Sequence, residues 1–215
     1  MNIGEEQVKA SLERAIDTWG GSLSWEKLKV TLGRFNLASV NKIVAFALSS
    51  ISEFSDEKDY DNRSAFQHAL VVALQGLLSN LSHEHRQPKC YAQDPAYTEH
   101  DTNALQTLGI TVLPDPEGFL EVDDETLVIS VSPNVPVKQV VSDIARPAFI
   151  IWNTIAGDGL GVEPSTDPDS PRLQKWIAEH YETLEFPREP DLFGNVSMYV
   201  RRTLAGGGPV EQAAT

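Results

Sequence analysis

The chain is 215 residues long, 41% hydrophobic and 22% charged, the make-up of one globular domain, which excludes wholesale disorder, collagen and coiled coil. At this length folding buries roughly 70% of the unfolded surface, so neither disulfides nor a structural metal is needed. With 31 Asp and Glu against 17 Lys and Arg the formal charge is −14, which disfavours nucleic acid and anionic membrane surfaces; the single cysteine, Cys90, rules out an intramolecular disulfide.

Val8, Leu12, Ile16 and Trp19 recur at helical spacing, predicting a first helix that Gly20-Gly21 ends. Ser24 is expected to cap a second short helix over Trp25 to Leu32. Lys42 to Leu48 is a compact apolar run, read as a strand buried on both faces. A polar, acidic stretch from Ser49 to Asn62 leads into a helical stripe from Phe66 through Leu70, Leu74 and Leu77 to Leu81. Lys89 to Gln93 reads as a strand, Glu99 to Leu108 as a helix closed by Gly109, and Ile110 to Leu113 as another strand. After the turn-rich Pro114 to Gly118 come a strand over Leu127 to Ser132, a helix over Val137 to Ile144 and a strand over Ala148 to Trp152. Gly157 to Pro171 reads as a linker. Leu173, Trp176, Ile177, His180, Tyr181 and Leu184 mark an amphipathic helix, and Val196, Met198 and Val200 a late strand.

Repeated strand–helix alternation predicts an α/β fold: a Rossmann-like, doubly wound, mostly parallel sheet with helices on both faces. Residues 1–40 are expected as an N-terminal helical appendage on the same core, 41–204 as the Rossmann-like domain, and 205–215 as a flexible tail. The polar start lacks a signal-peptide pattern and no run is long enough to span a membrane. The expectation is a soluble intracellular protein, cytoplasmic with the nucleus open to it.

Ligands of such sheets bind beyond the carboxyl ends of the strands, at the switch point in strand order, which directs attention to the loops after Leu48, Gln93 and Ser132. The first, Ala47-Leu48-Ser49-Ser50, has no glycine to let amides approach a pyrophosphate, and Glu53, Asp56, Glu57, Asp59 and Asp61 follow it. NAD and ATP are therefore disfavoured, although Arg63 and Ser64 stand where a helix start meets an anion. S-adenosylmethionine, with a sulfonium and no phosphate, escapes that objection. Asp94, ending the second strand, is placed to accept from ribose hydroxyls; the competing role is a helix N-cap with Pro95 at the first helical position. The loop Ser132-Pro133-Asn134-Val135-Pro136 is stiffened by two prolines and is similar to the Asn/Asp-Pro-Pro-aromatic loop of amino-methylating enzymes, without its aromatic. The candidate cofactor-binding residues are thus Ala47, Ser49, Ser50, Asp94, Ser132 and Asn134. His83 and His85, with Cys90 or His100, lack a fixed third ligand, so no metal is expected. Cys90 enters a buried strand and no Gly-x-Ser-x-Gly occurs, so no nucleophile is assigned.

The segment Cys90-Tyr91-Ala92-Gln93-Asp94-Pro95-Ala96-Tyr97-Thr98, with Leu105 to Ile110, Gly118 to Asp123 and Thr126 to Pro133, resembles the SRR-like (Sensitivity to Red Light Reduced) family. The order of the Asp-Pro-x-aromatic and Ser-Pro-Asn-Val-Pro segments looks most like its fungal branch. The resemblance spans roughly 40 to 155, with a weaker echo over Phe193 to Arg202. It implies a Rossmann-like fold and a regulatory role without settled chemistry. Members often keep a Gly-x-Gly-Ser-like turn after the first strand, where this chain has Ala47-Leu48-Ser49-Ser50.

Three functions follow. The favoured one is a regulatory or interaction protein without a usual dinucleotide site, whose partner is a protein or a small molecule. The second is an enzyme or sensor using S-adenosylmethionine, with Asp94 on the ribose, Ala47 to Ser50 at the amino-acid end and Ser132 to Asn134 orienting the acceptor. The third is a cofactor-free, cyclase-like enzyme on an apolar metabolite, with Trp152 and Tyr97 as walls and His68 or Asp94 as polar handles.

Overall fold

The computed structural model describes residues 3–53, 63–82, 86–155 and 166–204. The acidic residues Asp56, Glu57, Asp59 and Asp61, the histidines His83 and His85, most of the Gly157 to Pro171 linker and the tail from 205 lie outside the described residues.

Strands β1 (Lys42–Phe46), β2 (Lys89–Gln93), β3 (Ile110–Val112), β4 (Thr126–Ser130), β5 (Phe149–Asn153), β6 (Tyr181–Glu185) and β7 (Val196–Arg201) form one sheet in the order β3-β2-β1-β4-β5-β7-β6. β1 to β5 pair in parallel, and β7 runs antiparallel between β5 and β6. Because side chains alternate along a strand, β1 sends Ile43 and Ala45 into one apolar cluster and Val44 and Phe46 into another. The first cluster is covered by α1 (Glu5–Gly20), α2 (Leu23–Leu32), α3 (Arg63–Leu81), α4 (Glu99–Thr107) and α8 (Pro190–Phe193). The second is covered by α5 (Glu117–Leu120), α6 (Val137–Ile144) and α7 (Pro171–His180). Helices on both faces of a mostly parallel sheet make this the doubly wound α/β fold expected from the alternation. α1 lies against α3 and α4, with Val8, Leu12 and Trp19 buried in the first cluster.

Three local readings are corrected. Ser22, not Ser24, caps α2: its Oγ accepts from the Trp25 N–H at 3.0 Å, while the Ser24 hydroxyl donates to Glu189. The last long helix stops at His180, and Tyr181 to Glu185 is strand β6 on the free side of β7. Tyr181 and Leu184 continue the helical spacing by coincidence; pairing with β7 and a bond from the Tyr181 hydroxyl to the Pro147 carbonyl (2.9 Å) decide the matter. Within the turn-rich segment, Glu117 to Leu120 closes a helical turn, α5, whose Phe119 stacks on Phe46 at 4.5 Å.

Candidate functional site

Chain order reverses at β1: β2 and β3 extend the sheet to one side, β4 and β5 to the other. The loops leaving β1 and β4 must therefore diverge, and the space between them is the crevice where such sheets hold ligands. A cavity of about 440 Å³ lies there, within the range of about 300–1,000 Å³ for small-molecule sites. Its lining includes all six sequence-derived residues: Ala47, Ser49, Ser50, Asp94, Ser132 and Asn134.

The β1 loop lacks glycine yet adopts the backbone that glycine favours. Ala47 (φ 55°) and Ser49 (φ 64°) are left-handed, as is Ser132 (φ 52°) after β4. Each such residue costs roughly 1–2 kcal/mol, so neighbouring bonds must hold it. The Ala47 N–H donates to the Gln93 carbonyl at 3.1 Å, the Ser49 N–H to Asp94 Oδ2 at 2.7 Å, and the Ser64 hydroxyl to the Ser49 carbonyl at 2.7 Å. After β4, the Ser132 N–H donates to Asn153 Oδ1 at 2.7 Å and Asn153 Nδ2 approaches Ser132 Oγ at 3.3 Å. Asn153 thus clamps the far wall from β5.

Asp94 is not a helix cap. Its Oδ1 accepts from the Ala96 N–H (2.9 Å) and its carbonyl from the Tyr97 N–H (3.2 Å), a side-chain-stabilised turn; Thr98 caps α4 instead. With Ser49 on Oδ2 and Ala96 on Oδ1, each carboxylate oxygen still has capacity to accept a further donor from the cavity.

Asp101, which the sequence reading passed over, is the hub beneath this wall. It is fully buried and completes a capping box with Thr98. Its carboxylate accepts from the Ser50, Ser52 and Thr98 hydroxyls and from the backbone N–H groups of Ile51, Ser52 and Thr98, at 2.7 to 3.2 Å. Burial pushes its pKa up, but the bonds from Thr98, Ser50 and Ser52 outweigh burial and hold it below the ordinary value. Ser50 borders the cavity, yet its hydroxyl is committed to Asp101. The Thr98-x-x-Asp101 spacing was the signal available in the sequence.

Gln93 joins the β2 and β3 sides: Nε2 donates to Asp115 Oδ1 (2.9 Å) and Oε1 accepts from the Gly118 N–H (2.6 Å). A Cβ on Gly118 would stand 2.6 Å from Gln93 Oε1 and 3.1 Å from the Phe46 ring, so only glycine lets α5 come this close. From α3, Arg63, Ser64 and Gln67 complete the wall, and Glu53 stands after the β1 loop.

The alternative handles lie elsewhere. His68 is fully buried; its Nδ1 donates to the Ser64 carbonyl and its Nε2 accepts from the Tyr97 hydroxyl, each at 2.7 Å. Burial pulls the imidazole down to about 4 and lifts the Tyr97 hydroxyl well above its ordinary value, so the pair is neutral and structural. Trp152 is buried in the second apolar cluster. None of these three borders the cavity. Cys90 is buried and its thiol is pushed up to about 12 by burial. Among the described residues no group of three metal-ligating side chains occurs, and no helix is long and apolar enough to cross a membrane.

Strand order and the switch-point crevice define a protein of the Rossmann-like, doubly wound class. The model of the SRR1 domain matches residues 10–199, and the chain belongs to that family. No curated protein matches the chain. Among solved structures it is similar to a candidate O-methyltransferase from Klebsiella pneumoniae, at 12% identity and a TM-score of 0.45, over 92% of this chain and 89% of that one. It is also similar to cofactor-bound Rv0187 from MTB, at 12% identity and a TM-score of 0.47, over 91% and 90%.

Proposed function

We propose that this SRR1-domain protein is a regulatory, ligand-binding protein whose crevice takes an adenosyl ligand without phosphates: S-adenosylmethionine or its demethylated product. The observation that carries this reading is Asp94, a carboxylate at the tip of β2 that borders the cavity with acceptor capacity left over after fixing the β1 loop. A ribose diol supplies the matching pair of donors. Glu53, Asp94 and Asp115 against Arg63 leave the described lining net negative, which favours a sulfonium and repels a pyrophosphate or triphosphate. Binding without turnover is favoured because the imidazole on the adjoining helix and the lone thiol are both sealed in the core. The apolar-substrate reading loses support, since Trp152 and Tyr97 do not form walls. The order of the Asp-Pro and Ser-Pro-Asn-Val-Pro segments supports a place in the family's fungal branch.

The test is a thermal-shift titration with S-adenosylmethionine, its demethylated product, NADPH and ATP. A ligand at a hundred times its dissociation constant stabilises the native state by about 2.7 kcal/mol. The expected result is a shift with the first two, lost in Asp94→Asn, and none with the phosphorylated pair. No shift with any adenosyl compound at millimolar concentration rejects the reading.

A further inference from the structure

The polar groups around the cavity are unevenly placed. Asp94 and Asp115 come from the tips of β2 and β3, and Gln93 ties the two together. The one cation in the described lining, Arg63, comes from the opposite element, at the first turn of the 19-residue α3. In a chain of charge −14, Arg63 has no hydrogen-bond or ion-pair partner among the described residues, although carboxylates share its cavity. It stands at the first turn of the helix, where the macrodipole also favours an anion.

One turn further along the same wall is Gln67, with only 6% of its surface exposed. Its Nε2 donates to the Leu192 carbonyl at 3.1 Å, which fixes the amide's orientation. Its Oε1 is left without a partner among the described residues in a side chain that borders the cavity. Such an amide oxygen, in a side chain that borders the cavity, is an acceptor open to a ligand N–H. A guanidinium that seeks an anion and an amide oxygen that seeks a donor, four residues apart on one helix, match the two ends of an α-amino acid.

We infer that the α3 wall is an α-amino-acid subsite, in which Arg63 holds the ligand carboxylate and Gln67 Oε1 accepts from the ligand ammonium. This rests on the adenosyl-binding reading and deepens it: the ligand is zwitterionic, with its nucleoside toward Asp94 and Asp115 and its amino-acid end toward α3. The cavity therefore discriminates by the group on the 5′ carbon, and a nucleoside lacking the amino acid is a poor substitute.

The experiment is calorimetric titration of the full chain with S-adenosylhomocysteine and with 5′-methylthioadenosine, the same nucleoside without the amino-acid end. Losing a charge-assisted hydrogen bond weakens binding by roughly tenfold or more. Wild type is expected to bind the homocysteine compound at least tenfold more tightly. Arg63→Gln is expected to weaken the homocysteine compound far more than methylthioadenosine and so to remove that preference; an unchanged melting temperature, expected because Arg63 is exposed at a helix start, reports an intact fold. Equal affinity of wild type for the two compounds overturns the subsite while keeping the adenosyl reading, as does an Arg63→Gln variant that keeps the preference. Binding of neither compound removes the adenosyl reading and the subsite with it.

Discussion

Two carboxylates, both nearly inaccessible, are held in opposite electrostatic states. Asp101 lies under the β1 loop and is kept below its ordinary pKa; Asp167, 4% exposed, lies under the β4 loop and is lifted to about 6. Burial opposes ionisation at both. At Asp101 three hydroxyls and three backbone N–H groups converge on the charge and overcome that penalty. At Asp167 burial wins over the Lys138 ammonium and the Lys138 N–H, and the neighbouring Asp169 adds repulsion. The same burial thus yields opposite shifts: the hydrogen bonds converging on Asp101 outweigh it, whereas at Asp167 it outweighs the nearby Lys138. The β1 side is the stiffer wall, and the β4 side the one whose state depends on pH.

The largest effect is expected at the stiffer wall. Asp101→Ala strands several buried donors at once, each worth about 1–3 kcal/mol when unpaired, so the loss is about 4 kcal/mol or more in a urea-unfolding titration. Asp101→Asn keeps one acceptor and is expected to lose about half as much. A cost under 1 kcal/mol for the alanine variant overturns the view of Asp101 as the hub of this wall.

Next comes the other wall's cation. Lys138 is 4% exposed, and its ammonium meets Asp169 at 2.5 Å. Lys138→Met keeps the stem but removes the charge from a buried pair, at an expected cost of about 3 kcal/mol at neutral pH. Since Lys138 pulls the Asp167 pKa down, its loss is expected to lift that pKa further.

The residues at the strand tips were legible in the sequence on both walls, and the bonds that brace them were not. The six lining residues came from one rule, that ligands sit beyond the strand tips, and the apolar runs placed those tips at the cavity rim. Asp94 was located by it but given the wrong local partner, because Asp-Pro reads equally as a cap or as a turn. Asp101 had only its local spacing from Thr98 as a signal; its bond with Ser50 and those of Gln93 and Gly118 span 22 to 51 residues, and no local period encodes such pairing. The same limit hid β6: Tyr181 and Leu184 obey the helical period, and only β7, farther along the chain, makes them a strand. Arg63 was noticed as a helix-start cation, whereas Gln67 matters only because α3 turns it into the cavity.

The pH dependence separates the two walls without ligand. Asp167 binds its proton more tightly folded, at about 6, than the ordinary 3.8, so across roughly pH 4 to 6 the folded state holds the extra proton. Stability from this group is therefore full below about pH 4 and is lost as pH rises to 6. Asp101 has the opposite sign: its contribution is present above 3.8 and is lost as pH falls through its lower folded pKa. Subtracting the melting curve of Asp167→Asn from that of wild type is expected to show a decline between pH 4 and 6 and a flat line above it. A difference that rises across this window reverses the assignment.

The smallest effect concerns backbone alone, and it compares the walls most directly. Ala47 and Ser132 share nearly the same left-handed φ, 55° and 52°. Glycine relieves roughly 1–2 kcal/mol of steric cost at such a position but adds about 0.4–1 kcal/mol of freedom to the unfolded chain. Ala47→Gly is therefore expected to stabilise by about 0.5–1 kcal/mol, since only a methyl group is removed and the Ala47 N–H keeps its bond to Gln93. Ser132→Gly loses the contact of Oγ with Asn153 and is expected to gain nothing measurable. Equal gains at both sites show that Asn153 does not hold the β4 wall through the serine hydroxyl, and the Ser132 N–H bond to Asn153 Oδ1 then carries that wall alone.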